Sequence, residues 1–535
     1  MKKNLITAAA AALSLCICAC GGQIVHPAAA VDSSAMEIDA GQTVQTDSPD
    51  FLLRTKHLYE ADDNNYTIAS GSCSTIVLTD AYAAANPALD AAVTAYSDDL
   101  SGRAVSLFKE IAESSRTAFK DMGSDSGSFQ SGDMTCEIET VRYDSQVLSF
   151  FETCSTFYSG AAHGYTGYEG RSFDVATGSR IRLSDVFRDP SKLPPVVAAN
   201  LISVIDGEAV TGVEDLVAES FAGDEPSVSW VLDNEGVTFR YAPSDITAYA
   251  VGTVEARIRF SDHPDLFTDK YSARTGAYVV PLSTFIPSYT DLNGDGRKDS
   301  VLIEGVTSGD EAQVYTGIRV TVNDKTCTAG DDFWALRPIL VHTQGGRNYI
   351  YAVTTSDNDY ETLTVFDLTG EVPVRVGAMP GTGFCSVYRS VSENWVDNYT
   401  DQYPVLNPAS FPLQKRIALM STYSGSRYYG TGDDGMPVPL SGYFTVDAEI
   451  PLTFKVDMTC DLVDAESDKT TGKTVSVSAG TNCRIWRTNG TDTVDLLLPD
   501  GRAVRVNVGV EKDGWPQTVN GVDLEEAFDG TVFAG

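Results

Sequence analysis

Positive charge is scarce in this chain. Lysine and arginine number 38 against 74 aspartates and glutamates, so the formal charge is 38 − 74 = −36. That balance disfavours nucleic acid and anionic membrane surfaces as partners. It fits a basic partner or cations, and it equally fits an exposed surface kept acidic for solubility. Histidine is scarcer still, at five residues. His26, His57, His163, His263 and His342 stand too far apart in sequence to form a local metal cluster. No Cys-x-x-Cys pair occurs among the ten cysteines. A Gly-x-Ser-x-Gly elbow and a His-Glu-x-x-His helix are also missing, and "GKT" at 472–474 lacks the first glycine of a P-loop, because Ser467 stands there. Beyond the first twenty residues no apolar run approaches the roughly 20 residues that a spanning helix needs.

Those first twenty residues set the expected compartment. Lys2 and Lys3 precede an apolar run from Leu5 to Ala19, too short to span a membrane but suited to a secretory signal. Cys16 and Cys18 follow the bulky Leu15 and Ile17, whereas Cys20 follows Ala19 and precedes Gly21-Gly22. The segment resembles a bacterial lipoprotein signal with "ICAC" as its lipobox, which implies residues 1–19 as signal peptide and lipidation at Cys20. An ordinary secretory signal is the alternative. With a lipid anchor, the chain is expected at the cell membrane on its extracytoplasmic face. Residues 20–50, rich in Ala, Ser, Gln, Thr and Asp without an apolar period, read as a flexible tether.

The remainder is too long for one core, and the pattern predicts an α+β and all-β multidomain chain. From Leu52 a strand leads to Asn86-Pro87, which opens a helix. In it Leu89, Val93, Tyr96, Leu100, Ala104, Leu107 and Ile111 recur at three- and four-residue steps, a core stripe. Then "MTCEIETVRYDSQVLSFFETCSTFYSG" predicts two strands around Asp144-Ser145. A three-residue turn centred on Ser145 sets Val141 opposite Ser149 and Cys136 opposite Cys154. A cross-strand disulfide Cys136–Cys154 follows from that register. Of the seven cysteines after Cys20, an odd one is left free.

The hairpin runs into "FYSGAAHGYTGYEGRSFDVATGSRIRLSDVFRD", and later come "WVLDNEGVTFRY", Tyr241-Ala242-Pro243 and the Gly252 turn. Aromatic-Gly-small-small-His-Gly followed by "FDVATG" resembles a bacterial extracellular domain family. It includes the sensor domain of the RsiV-like, lysozyme-sensing anti-sigma factors and the non-catalytic domain beside PdaC-type peptidoglycan deacetylases. The resemblance implies an α+β domain over 51–275. The family's second glycine is Ala161 in this chain, which puts a left-handed backbone at that position in question. A catalytic His163 needs a nucleophile or carboxylate against it, and only Glu169 and Asp174 are near in sequence. The expectation is therefore a structural loop of Gly160, His163 and Gly164, the ring bonded to backbone groups.

One further motif carries chemistry. "DLNGDGRKD" at 291–299 sets oxygen side chains at alternate positions and a glycine at the sixth, as a short Ca²⁺ loop requires. Asp291, Asn293, Asp295 and Asp299 would donate side chains and Arg297 its carbonyl. Leu302 replaces the twelfth-position Glu of an EF-hand, and a strand, not a helix, is predicted to follow. The loop resembles that of FG-GAP β-propeller blades, in one copy. A structural Ca²⁺ in a beta-rich domain over 280–435 is expected, with a plain hairpin turn as the alternative. Residues 440–535 read as a small SH3-like β-barrel, wall-binding or purely structural, in which Cys460 and Cys483 are a candidate pair.

Together these readings predict a non-catalytic binding lipoprotein whose partner is a cationic protein such as lysozyme, or cell-wall glycan. The runner-up is an enzyme or auxiliary component in peptidoglycan modification.

Overall fold

The computed structural model of the chain describes residues 49–122, 129–205, 212–223, 225–271, 276–284, 287–293, 298–307, 314–330, 332–370, 372–389, 398–464, 467–511 and 514–534. It is mostly β, with a large sheet system and a few helices. Strands β1 (Phe51–Ala61) and β2 (Thr67–Leu78) pair antiparallel, Phe51 opposite Leu78. Asp62 closes their turn by accepting from the Asn64 and Tyr66 N–H groups. The short α1 (Asp80–Ala85) then leads to α2 (Pro87–Met122), which Pro87 opens as expected, since a missing N–H costs nothing at the first helical position.

The long helix packs on β2 and β3 (Gly132–Tyr143) and buries Leu89, Val93, Ser97, Leu100, Ala104, Phe108 and Ile111. Tyr96 and Leu107 of the expected stripe are only partly buried, and Phe108 takes the core place. This helical crossover lets β2 and β3 run parallel, which a tight turn cannot do. β4 (Val147–Phe157) and β5 (Tyr165–Asp174) extend the sheet antiparallel.

Cys136 lies opposite Cys154 as expected and the two form a disulfide, although the turn differs from the expected one: Asp144 and Val147 close it, and Tyr143 faces Leu148. The register nearer the turn needs correction. It shifts between Thr140 and Arg142, so Ser149 faces Arg142 and not Val141. The extra residue of this bulge turns Arg142 inward. There, at 1 % exposure, its guanidinium donates to Asp144 at 2.7 Å and to the Tyr271 carbonyl at 2.8 Å.

A second layer follows, with α3 (Leu183–Val186), α4 (Leu193–Val204), α5 (Val213–Ser220), β6 (Ser229–Leu232), β7 (Gly236–Tyr241) and β8 (Val254–Arg259). The three strands form their own antiparallel sheet, and Leu193, Val197, Leu201, Trp230, Phe239 and Ile258 share its core.

Nine strands come next: β9 (Tyr278–Pro281), β10 (Ser288–Thr290), β11 (Asp299–Thr307), β12 (Tyr315–Val322), β13 (Lys325–Ala329), β14 (Ala335–His342), β15 (Asn348–Ser356), β16 (Tyr360–Asp367) and β17 (Val374–Pro380). They make a four-stranded sheet, β10 to β13, and a five-stranded one in the order β17-β16-β15-β14-β9. Ile303, Ile318 and Val320 meet Leu340, Ile350 and Phe366 between them. Alternate residues of the five-stranded sheet, Val341, Tyr349, Tyr351 and Val365, join the core of the first sheet. The strand that follows 291–298 is β11, as its alternation predicts.

β18 (Thr382–Arg389) and β19 (Tyr399–Tyr403) return to the first sheet, where β19 pairs with β1, Leu53 opposite Gln402. That pairing runs across the boundary drawn at 275–280. β20 (Phe411–Ala418) and β21 (Thr422–Thr431) lead into the C-terminal strands, whose core holds Phe454, Ile485, Leu496 and Val506. The candidate pair Cys460 and Cys483 is corrected here, because both are buried free thiols. Cys460 faces Val475 across its ladder and Cys483 faces Leu452, so they do not pair across one ladder, although both lie in the same core. Burial pushes Cys460 up to about 11 and Cys483 up to about 12. Among the described residues no helix is long and apolar enough to cross a membrane.

Candidate functional site

Glu152 is the centre of the most strongly charged cluster around the disulfide. It sits two residues before Cys154 and so shares its face of β4, against α2. Tyr96 and Arg103 are seven residues apart on α2, two helical turns, and both reach it. The Tyr96 hydroxyl donates to Glu152 Oε2 at 2.6 Å, and the Arg103 guanidinium donates to both oxygens at 3.0 and 2.9 Å. Glu152 is 3 % exposed, so these charge-assisted bonds are what keeps a buried carboxylate tolerable. Burial, then the Glu152 charge, drives the Tyr96 phenol far above its ordinary value. Arg103 holds its proton more firmly, through its hydrogen bond to Glu152.

Arg103 also reaches Asp99 at 2.9 Å and Glu169 at 3.4 Å, and Glu169 accepts from Arg171. Arg103, Glu152, Glu169 and Arg171 line a cleft of about 600 Å³ between α2, β5 and the segment before β6, together with Arg180, Glu225, Val228 and Trp230. Gly170 lets the layers close behind it, since a Cβ there would lie 1.9 Å from the Trp230 carbonyl oxygen. An adjoining shallow trough of about 450 Å³ runs along the outer face of α2, lined by Asp98, Asp99, Gly102, Arg103, Ser106 and Glu110.

His163 lies outside this cleft, in the exposed loop before β5. Its Nδ1 is 2.9 Å from the Gly164 carbonyl, and its ring packs on Tyr249 with centroids 4.3 Å apart. The Tyr249 hydroxyl donates to the same carbonyl at 2.8 Å. Gly160 takes a φ of +82°, which favours glycine, whereas Ala161 does not adopt the left-handed region. Gly164 is held close to β4, since a Cβ there would meet the Thr156 carbonyl at 2.8 Å. The carboxylates near His163 in sequence are engaged elsewhere. Glu169 faces the arginines, and Asp174 accepts from Lys270 at 2.8 Å and Tyr271 at 2.9 Å.

Of the expected calcium ligands, Asp295 and Arg297 lie outside the described residues, as does the lipidation candidate Cys20. Asp299 opens β11 and accepts from the Leu292 N–H at 3.0 Å and from Asn323 Nδ2 at 2.9 Å. Asp291 and Asn293 sit in the turn before it. Among the described residues, no three His, Cys, Asp or Glu side chains are grouped to hold a metal ion.

Sequence reasoning missed Tyr96, Arg103, Glu152, Arg171 and Arg180 as one cluster. One signal was present: Glu152 directly follows the run "VLSFF" on the same strand, and a carboxylate there needs partners.

No protein-family model matches the chain, and neither does any curated protein. Among solved structures it is similar to a DUF3298 family member from Bacteroides fragilis NCTC 9343, at 18 % identity over 42 % of this chain and 96 % of that one, with a TM-score of 0.32. It is also similar to a DUF3298 family protein from Pseudomonas aeruginosa PAO1, at 15 % identity over 41 % of this chain and 97 % of that one, with a TM-score of 0.26.

Proposed function

We propose that the chain is a non-catalytic binding lipoprotein, held by lipid on Cys20 at the outer face of the membrane, that captures a basic extracellular protein of the lysozyme kind. The observation that carries this reading is the trough on α2. It is open and shallow, and its carboxylates Asp98, Asp99 and Glu110 face a single arginine, Arg103, which Glu152 already engages. Such a surface suits a flat basic epitope, and a chain charge of −36 speeds the encounter. The RsiV-like sequence motif around His163 is the second support, as an analogy of fold.

The test measures binding of hen lysozyme to the chain at two salt concentrations, beside a charge-matched acidic control protein. Saturable binding that exceeds the control at physiological salt, and weakens when Asp98, Asp99 and Glu110 are changed to the amides, is expected. Binding no better than the control would overturn the proposal.

A cell-wall glycan is the second reading, favoured by the aromatic tip around His163. Tyr158, Tyr165 and Tyr249 are 36 %, 68 % and 43 % exposed there, and flat apolar rings suit sugar faces. Sedimentation with purified cell wall, lost in Tyr165→Ala, would support it over the protein partner.

A further inference from the structure

The cleft beside the disulfide holds six charged groups of balanced sign: Arg103, Arg171 and Arg180 against Glu152, Glu169 and Glu225. Four of them cancel within the fold. Arg103 is fixed by both oxygens of Glu152, and Arg171 is fixed by Glu169. Arg180 and Glu225 are left over. Neither forms an ion pair among the described residues, although each lies within electrostatic reach of the other across one cavity. A guanidinium fork and a carboxylate that face the same space without closing on each other present one site for an anion and one for a cation.

We propose that this cleft holds a small zwitterion, an α-amino acid or the end of a short peptide, with its carboxylate on Arg180 and its ammonium on Glu225. The volume of about 600 Å³ admits a ligand of that size. Partial desolvation and the neighbouring Arg171 charge already make the Arg180 cation less comfortable than in water, and the opposite charge of an incoming carboxylate offsets them. The inference stands apart from the basic-protein reading, because it concerns a small ligand in the cleft and not the trough on α2.

Titration calorimetry on the full chain tests it with alanine, trialanine, N-acetyl-trialanine, trialanine amide and sodium acetate. Trialanine or alanine should bind, and the preferred one identifies a peptide end or a free amino acid. Amidation or acetylation should weaken binding by about tenfold or more. Arg180→Gln should abolish the preference for the free carboxylate, Arg180→Lys should keep it, and Glu225→Gln should abolish the preference for the free amine. Arg180 and Glu225 are both exposed, so the variants should melt like the parent protein. The proposal is overturned if none of the probes binds, if acetate alone binds as well as trialanine, or if Arg180→Gln keeps the parent's preference.

Discussion

Asp447 should make the stability of this protein fall as the solution becomes less acidic. Asp447 follows the strand Phe444–Val446, and its carboxyl lies against Gln414 of β20 and Ser426 of β21, which face each other in their ladder. It accepts from the Ser426 hydroxyl at 2.6 Å and from Gln414 Nε2 at 2.9 Å. Burial outweighs those bonds and pushes it up from 3.8 to about 6. Because the folded state binds this proton more tightly than the unfolded chain, the contribution is fully present below about 4 and is lost as pH rises through about 6. At about 1.4 kcal/mol for each tenfold change in proton affinity, the loss by pH 8 amounts to ~3 kcal/mol. Asn at this position is neutral at every pH, and its Nδ2 can donate to Ser426 while its oxygen keeps Gln414. Asp447→Asn should therefore match the parent near pH 4 and exceed it by ~3 kcal/mol at pH 8. Urea melts of the two proteins at pH 4 to 8 give the difference directly, and titration of other groups such as the partly buried His57 cancels in it. Parallel curves across that range would refute the assignment of a buried, proton-holding Asp447.

Gly170→Ala should cost about 2–3 kcal/mol, because the new methyl group meets backbone atoms of Trp230 that no rotamer change can move. A melting temperature within a degree of the parent's would mean that β5 and β6 separate freely at this point. For the loop at 291–299, chelation with EDTA should lower the melting temperature, since its oxygen ligands repel one another without an ion. If Asp295→Ala and the parent melt alike in calcium and in chelator, the loop is a hairpin turn.

The sequence by itself determined the elements whose signals are local. Pro87 and the three- and four-residue apolar steps after it marked α2, because a helix face repeats along one segment. Counting from a turn centred on Ser145 set Cys136 opposite Cys154, and that pairing stands only because the bulge at Val141 offsets a turn closed by Asp144 and Val147 instead. The glycines around His163 marked a loop in which the ring serves the backbone. What the tertiary structure alone decided is where the counting stops being local. The bulge at Val141 depends on the buried carbonyl of Tyr271, some 130 residues away, which gives Arg142 a partner inside the protein. β1 finds β19 across a sequence separation of 347 residues at Arg54 and Asp401, since an edge of unpaired N–H and C=O groups takes any strand of fitting register and carries no sequence address for it. The charged cleft arises the same way. Tyr96, Arg103, Glu152, Glu169, Arg180 and Glu225 come from a helix, two strands and two connecting segments, and only packing α2 onto the sheet gives them one another as neighbours.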